Sequence, residues 1–184
     1  MADANNIYMA SNDIANDPSN PYQGQIYNWP TSRNGWNQVQ FDYQGDQVTK
    51  DRFLAILKGD ATAAGGPVLG SNENSTVFVF FSGPASAAGQ ADMPYGDPLT
   101  EAELMDAISY MNENKMYKQL VIYWSSDYSG SMFANLPADT KVLAMTSASA
   151  TEVQKNAYCP PDQDKVYGYS IGACLATEFG TQWL

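Results

Sequence analysis

Two uninterrupted apolar runs separated by one well-marked helix constrain the fold of this chain more than any other feature. The runs are residues 77–81 (VFVFF) and residues 120–124 (LVIYW). Short apolar runs of this kind are typical of strands that are covered on both faces of a parallel sheet. Parallel neighbours need a crossover connection, and the intervening residues are long enough to hold a helix. We therefore predict a β-α-β unit in the middle of the chain.

Local capping signals mark where two helices begin. Thr100 and Glu103 have the spacing of a capping box, in which each side chain bonds to the backbone of the other. The apolar residues that follow fall on one helical face. Thr49 is a good N-cap for an earlier helix that starts next to it.

Further strands are expected at residues 7–10 and 141–146, and a hairpin is expected around residues 39–41 within a long polar stretch. The alternation of strands and helices predicts an α/β fold, a three-layer sandwich with a mostly parallel sheet. A length of 184 residues suits one domain, and we find no internal repeat, so residues 1–184 are taken as a single domain.

The chain contains no histidine, which removes the usual general base of Ser-His-Asp and Cys-His sites. Cys159 and Cys174 are its two cysteines, and two thiolates cannot complete a tetrahedral zinc site. The formal net charge of −11 argues against a nucleic-acid backbone or an anionic membrane surface as partner. No apolar run approaches the roughly 20 residues that span a bilayer. We expect no metal, no cofactor and no membrane span.

Small polar residues follow the second apolar run where it stops. Ser125, Ser126 and Asp127 come first, and Ser129 and Gly130 lie just beyond. Ligands collect at the carboxyl ends of parallel strands, so this is the first place to look for a site.

Several segments resemble the legumain-type asparaginyl endopeptidases, which are cysteine peptidases of family C13. They are VTKDRFLAILKGD (48–60), ENKMYKQLVIYW (113–124), SGSMFANLP (129–137) and NDIANDPSNPYQGQIYNWP (12–30). The resemblance covers nearly the whole chain in matched order. It implies a caspase-like sheet and a place in the secretory pathway, extracellular or in a vacuole or lysosome.

The sequence departs from this family at the positions that carry its chemistry. Pro84 stands where the family has its histidine, and Asp127 stands where it has its cysteine nucleophile. The specificity positions also differ, with residues 153–155 (VQK) and 176–177 (AT) in their place. The resemblance therefore implies that no catalytic residue is left. We expect a pseudoenzyme that acts as a structural or interaction protein, with a protein partner or self-association, in a larger assembly.

Other readings of the same residues stay open. One is a peptide- or glycan-binding module that uses the remnant cleft, and another is an enzyme with unfamiliar catalytic residues, such as a Ser–Lys dyad with Lys155. Aromatic residues of the polar stretch either anchor it to the core or bind a partner or a sugar; they are Tyr22, Tyr27, Trp29, Trp36 and Tyr43. Four acidic residues there either are solvated or bind calcium; they are Asp13, Asp17, Asp42 and Asp46.

Two covalent modifications are expected. The resemblance to secreted and vacuolar proteins favours a disulfide between Cys159 and Cys174, the alternative being two reduced core thiols. Asn74 begins an Asn-Ser-Thr glycosylation triplet, although such triplets also occur by chance.

The family resemblance also implies that the position of one strand in the sheet is empty, and we call this position the lane. The family's first strand lies between its second and third, and this chain begins at the second, lacking the N-terminal strand and helix. Residues 7–10 and 77–81 would then flank unpaired backbone groups, which are costly when buried. We expect the lane to be filled by a cleaved N-terminal piece, by another subunit or by residues outside this sequence. The alternative is a sheet in which the second strand moves beside the third.

Overall fold

The computed structural model describes residues 6–11, 14–31 and 39–183, which form a mixed α/β fold. In chain order the strands and helices are β1 (Met9–Ala10), β2 (Tyr43–Gln44), α1 (Lys50–Leu57), α2 (Ala61–Ala64), β3 (Thr76–Ser82), β4 (Gln90–Ala91), β5 (Leu99–Thr100), α3 (Glu101–Glu113), β6 (Gln119–Ser125), β7 (Val142–Thr146), β8 (Asn156–Ala157), β9 (Lys165–Val166), β10 (Tyr169–Ser170), β11 (Ala176–Thr177) and α4 (Glu178–Trp183).

The central sheet has three parallel strands in the order β3-β6-β7. Helix α3 is the crossover between β3 and β6, as the two apolar runs and the capping box predicted. The strand expected at residues 141–146 is present as β7. The α/β class with a mostly parallel, caspase-like sheet is therefore confirmed.

Both predicted N-caps are formed. The Thr49 hydroxyl accepts the backbone N–H of Arg52 at 3.3 Å at the start of α1. At the start of α3 the Thr100 hydroxyl accepts the N–H of Glu103, and the Glu103 carboxylate accepts the N–H of Thr100 at 2.9 Å. The same carboxylate accepts a bond from the Lys50 ammonium at 2.8 Å, which lowers the pKa of Glu103 and joins α1 to α3.

One face of the sheet carries the core. Helices α1 and α3 pack on it, and the apolar side chains between them and the strands form one continuous cluster. Trp124 of β6 is fully buried, lies parallel to the ring of Phe81 at 4.1 Å and meets Phe53 and Phe133 edge to face. The buried face thus comes from alternate residues of β3 and β6, as the two-residue period of a strand requires.

The opposite face of the sheet is partly open. Phe78 and Phe80 of β3 are 52% and 42% exposed, and Leu143 of β7 is 48% exposed. Helix α4 packs on this face, where its Trp183 contacts both phenylalanine rings. A helix of six residues is too short to cover three strands. The expectation that residues 77–81 are covered on both faces was therefore wrong within the described part of the chain.

Strands β1 and β2 form a separate parallel pair. The expected hairpin around residues 39–41 was wrong, because these residues lie outside any strand. The next residues instead run alongside β1, where the Asp42 carboxylate accepts the N–H of Tyr8 at 2.8 Å. Tyr43 is buried and its hydroxyl donates to the carbonyl of Pro67 at 2.6 Å, so burial of this ring decides where β2 lies.

The outer edge of β3 faces away from β6. The Gly83 N–H points to β6, where it donates to the Ser125 carbonyl at 3.1 Å. Successive residues of a strand direct their N–H and C=O groups to opposite edges. The backbone groups of Phe78 and Phe80 therefore point away from β6. Within the described ranges β1 pairs with β2, and no strand pairs with this edge of β3.

The aromatic residues of the polar stretch divide between the two roles considered for them. Tyr43 and Tyr27 are buried, and the Tyr22 hydroxyl donates to a backbone carbonyl of β9 at 2.6 Å, so these three anchor the stretch. Trp29 is 37% exposed. Trp36 lies outside the described residues.

Candidate functional site

Strands β3 and β6 end side by side at the carboxyl edge of the sheet, where Ser82 pairs with Ser125. Pro84 and Asp127 each follow two residues later, so they occupy equivalent positions on neighbouring strand ends. Proline has no titratable group and no backbone N–H, and it can neither take up a proton nor donate a bond here.

The turn after β6 is held tightly. Tyr128 has φ 53° and leads into a 3₁₀ turn, Ser129–Phe133. A Cβ at Gly130 would lie 2.8 Å from the backbone nitrogen of Ala150, so only glycine fits this approach. The Ser131 hydroxyl accepts the Gly89 N–H at 2.6 Å and ties the turn to the loop that follows β3.

Asp127 has a structural partner. Its Oδ1 accepts the backbone N–H of Gln154 at 2.8 Å, and the side chain is half-buried. The carboxylate thus holds the loop after β7 against the end of β6.

A crevice between the ends of β6 and β7 is filled by the side chain of Gln154. Its Oε1 accepts the hydroxyl of Ser125 at 3.0 Å and that of Ser147 at 3.2 Å. Ser147 also accepts the N–H of Ser126. The sequence reasoning singled out Ser125 and Gln154 but missed Ser147, although its place directly after the last apolar strand was an available signal.

Lys155 is exposed, and the hydrogen bonds and ion pairs found in the described residues include none between its ammonium group and a serine. Its backbone carbonyl accepts the N–H of Glu178, which joins the residue before β8 to the start of α4. The structure does not bring a Ser–Lys dyad together among these residues.

Cys159 and Cys174 are joined as a disulfide, with their sulfur atoms 2.11 Å apart. The loop that they close contains the β9–β10 hairpin and the fully buried Asp164. Asp164 accepts the hydroxyl of Ser170 and the N–H of Gly172, and these bonds lower the pKa of its carboxyl. The oxidised state of this pair in solution stays a prediction.

The acidic residues of the polar stretch do not form a metal site within the described residues. Asp17 accepts the N–H of Ser19, Asp42 accepts that of Tyr8, and Asp13 lies outside the described residues. No group of three or more His, Cys, Asp or Glu side chains in the described ranges could hold a metal ion. None of the helices there has the length and apolar character needed to cross a membrane.

A pocket of about 540 Å³ opens on the outer side of β3 at the same edge. Its lining includes Asn28, Trp29, Phe80, Ser82, Asn156 and Thr181. The sequence analysis named Trp29 as a candidate binding residue, and the lining also includes Ala176 and Thr177, which it named as positions that differ from the family's specificity residues. The others come from four separate segments, and no local pattern marks them as neighbours.

A parallel central sheet with polar loops at its carboxyl edge defines an α/β protein, as a caspase-like fold requires. The chain belongs to the peptidase C13 family, whose sequence model matches residues 1–184. This confirms the resemblance seen in its segments.

Named relatives support the assignment. The chain is 37% identical over 182 residues to legumain of Mus musculus and 35% identical over 179 residues to hemoglobinase of Schistosoma mansoni, covering 97% of the chain in each case. It is 30% identical over 188 residues, 100% of the chain, to the vacuolar-processing enzyme delta-isozyme of Arabidopsis thaliana. The chain spans 39–40% of the length of these three relatives.

Proposed function

We propose that this C13-family chain does not hydrolyse peptide bonds and serves as a structural or interaction protein in a larger assembly. The observation that carries the proposal is the absence of both catalytic groups. The chain has no histidine, and its two cysteines are joined to each other. A cysteine peptidase needs a thiolate and a base that activates it, and a thiol in a disulfide is neither free nor nucleophilic.

The positions of Pro84 and Asp127 support the same conclusion. The family resemblance assigns them to the places of the histidine and the cysteine, and they lie at equivalent positions on neighbouring strand ends. The Asp127 carboxylate already accepts the N–H of Gln154. A carboxylate is also a weak nucleophile toward an amide, and no imidazole is present to assist it.

The crevice beside Asp127 gives further support. The segments that differ from the family's specificity residues contain Gln154 and Thr177. Ser125, at the end of β6, lies beside them. Gln154 bonds to Ser125, and the hydroxyls of Ser125 and Thr177 are 3.4 Å apart. A substrate side chain would have to displace the Gln154 carboxamide before it could enter.

We expect the purified protein not to cleave an asparagine-containing fluorogenic peptide at any pH from about 4 to 8. An active legumain-type enzyme assayed in parallel is the positive control. The double variant Pro84→His, Asp127→Cys is expected to stay close to background, because the specificity positions are changed as well.

Turnover by the unaltered protein would contradict the proposal if it persists through repeated purification. The variant Asp127→Ala separates the two sources of such activity. Activity that falls with this substitution would belong to the protein itself, whereas activity that is unchanged and blocked by thiol alkylation would indicate a contaminating cysteine peptidase.

For the partner, we propose that an additional strand pairs with the outer edge of β3, supplied by an N-terminal piece or by another chain. Phe78 and Phe80 direct their backbone groups outward along this edge, where no strand among the described residues pairs with them, and they also expose their rings. The edge strand carries no charge and no proline, which are the usual protections of an exposed edge. The outer edge of β3 therefore combines outward backbone groups with exposed apolar rings.

Native material is expected to have a mass above the 20.1 kDa of the chain by size exclusion with light scattering. Phe78→Lys should release the single chain, because a charge beside an open edge opposes strand pairing. Tyr110→Lys is the matched control, since Tyr110 is 42% exposed on α3 at the opposite face. A cooperatively folding wild-type monomer of 20.1 kDa would contradict this proposal.

We place the protein in the secretory or vacuolar pathway. One relative is named a vacuolar-processing enzyme, and a disulfide is typical of oxidising compartments. Asn74 lies exposed on the turn before β3, where an attached glycan would meet solvent. A mass loss on endoglycosidase treatment of native material would show this modification.

A further inference from the structure

Strand β7 is the second edge of the central sheet, on the side away from β3. The N–H of Ser147, the residue after β7, donates to the Trp124 carbonyl of β6 at 3.0 Å. Successive residues of a strand direct their N–H and C=O groups to opposite edges. Three residues of β7 therefore direct these groups away from β6, and they are Val142, Ala144 and Thr146. Within the described ranges no strand pairs with them.

The outer edge of β7 lacks the charges and the proline that usually protect an exposed edge. Its five residues, Val142–Thr146, are all uncharged. On the open face of the sheet Leu143 is 48% exposed and Met145 is 42% exposed. An uncharged edge beside exposed apolar side chains favours the addition of a further strand.

The strand that fits this edge best is β7 of a second copy. In an antiparallel pair centred on Ala144, this residue lies opposite its own counterpart and Val142 lies opposite Thr146 of the second copy. These are the residues whose backbone groups point outward, so each opposed pair can exchange two N–H···O bonds. The arrangement uses all three outward residues and is symmetric about a two-fold axis.

The side chains match in the same register. Leu143 lies opposite Met145 of the second copy, so the two exposed apolar side chains of each copy meet those of the other on the open face. Lys141 is the charged residue nearest to β7 in the sequence, and it lies opposite Ser147 of the second copy. No like charges therefore face each other across the two strands.

We propose that β7 pairs with β7 of a second copy of this chain, antiparallel and centred on Ala144, so that the two central sheets become one continuous sheet. The contact is independent of the strand proposed for β3, because β3 and β7 are opposite edges of the sheet. It involves five residues of each copy and is small. We expect a dissociation constant of about 0.1–1 mM, so dilute Phe78→Lys is still a single chain.

Self-association is measured by analytical ultracentrifugation of the full chain from about 10 µM to about 1 mM. Every sample carries Phe78→Lys, which removes the association proposed at β3, and the wild-type chain is run in parallel. We expect the average mass to rise from 20.1 kDa toward twice that value. Ala144→Pro should weaken the association by about tenfold or more, because it removes an outward N–H and no hydrogen bond to β6.

Ala102→Pro is the matched control. It makes the same change in the first turn of α3, where Ala102 is exposed and its N–H has no partner within the helix. We expect it to leave the association unchanged.

Charged substitutions test the register. Leu143→Lys and Met145→Glu should each weaken the association of the variant with itself, because each places a charge on the apolar contact. A mixture of the two should associate about threefold more tightly than either alone, since the opposite charges then lie across from each other.

A constant mass of 20.1 kDa at every concentration of the Phe78→Lys chain would overturn the proposal. An association that survives Ala144→Pro, or a mixture that is no tighter than its parts, would also overturn it. Failure of the separate proposal for β3 has a different signature, which is a wild-type chain with the same mass as Phe78→Lys in dilute solution.

A measurement without substitutions at β7 covers the case in which Ala144→Pro does not fold, as its unfolding midpoint would show. Hydrogen exchange of the Ala144 N–H should become slower as the concentration of the unaltered chain rises, because pairing protects this group. Exchange that does not change with concentration would contradict the pairing.

Discussion

Replacing Leu120 by alanine is expected to lower the free energy of unfolding by about 3 kcal/mol. Leu120 lies in β6, is fully buried and belongs to the core cluster between the sheet and the helices. Neighbouring strands on both sides hold the backbone in place, so the deleted side chain leaves a cavity that cannot collapse. The thermal midpoint should fall by roughly 6–12 °C, as followed by circular dichroism.

Leu143→Ala is the matched control. It removes the same atoms from the neighbouring strand β7, but on the open face, where Leu143 is 48% exposed. We expect it to lower the free energy of unfolding by less than about 1 kcal/mol. Equal losses at the two positions would contradict the open face and would mean that another segment covers Leu143 in solution.

Removing the disulfide is expected to lower the free energy of unfolding by about 3 kcal/mol. Cys159 and Cys174 are 15 residues apart, and the chain-entropy model assigns a loop of that size a stabilisation of about 3 kcal/mol. The double variant Cys159→Ser, Cys174→Ser should therefore have a lower denaturation midpoint than the oxidised protein.

Reductant provides the control for this prediction. It should lower the midpoint of the wild-type protein toward that of the double variant and leave the double variant unchanged. Thiol counting under denaturing, non-reducing conditions tests the bond directly. Two free thiols per chain in unreduced native material would contradict the disulfide.

The elements that could be predicted from sequence are those with local causes. Thr100 and Glu103 lie three residues apart in the sequence, and this spacing alone predicts the hydrogen bonds that cap the start of α3. The two long apolar strands were found for a similar reason, since an uninterrupted run rich in β-branched and aromatic residues favours a strand through its local composition. Pro84 and Asp127 were located by the family resemblance together with the rule that sites gather at strand ends.

The errors share one cause. The hairpin expected around residues 39–41 was wrong because burial of Tyr43 and the bond between Asp42 and Tyr8 place this segment beside β1. The expectation that residues 77–81 are covered on both faces was wrong for the described residues, since α4 covers only part of one face. Each outcome depends on which distant segment packs against the one being predicted.

The sequence by itself determined the chemistry that the chain has available. The absence of histidine and the presence of two cysteines hold for every possible fold of these 184 residues. The tertiary structure alone decided that Gln154 fills the crevice beside Asp127 and that Trp29 and Asn156 line one pocket. The physical reason is that such neighbours are separated by tens to more than a hundred residues. Their contact depends on how the whole sheet closes, and no periodicity or spacing within a short segment records it.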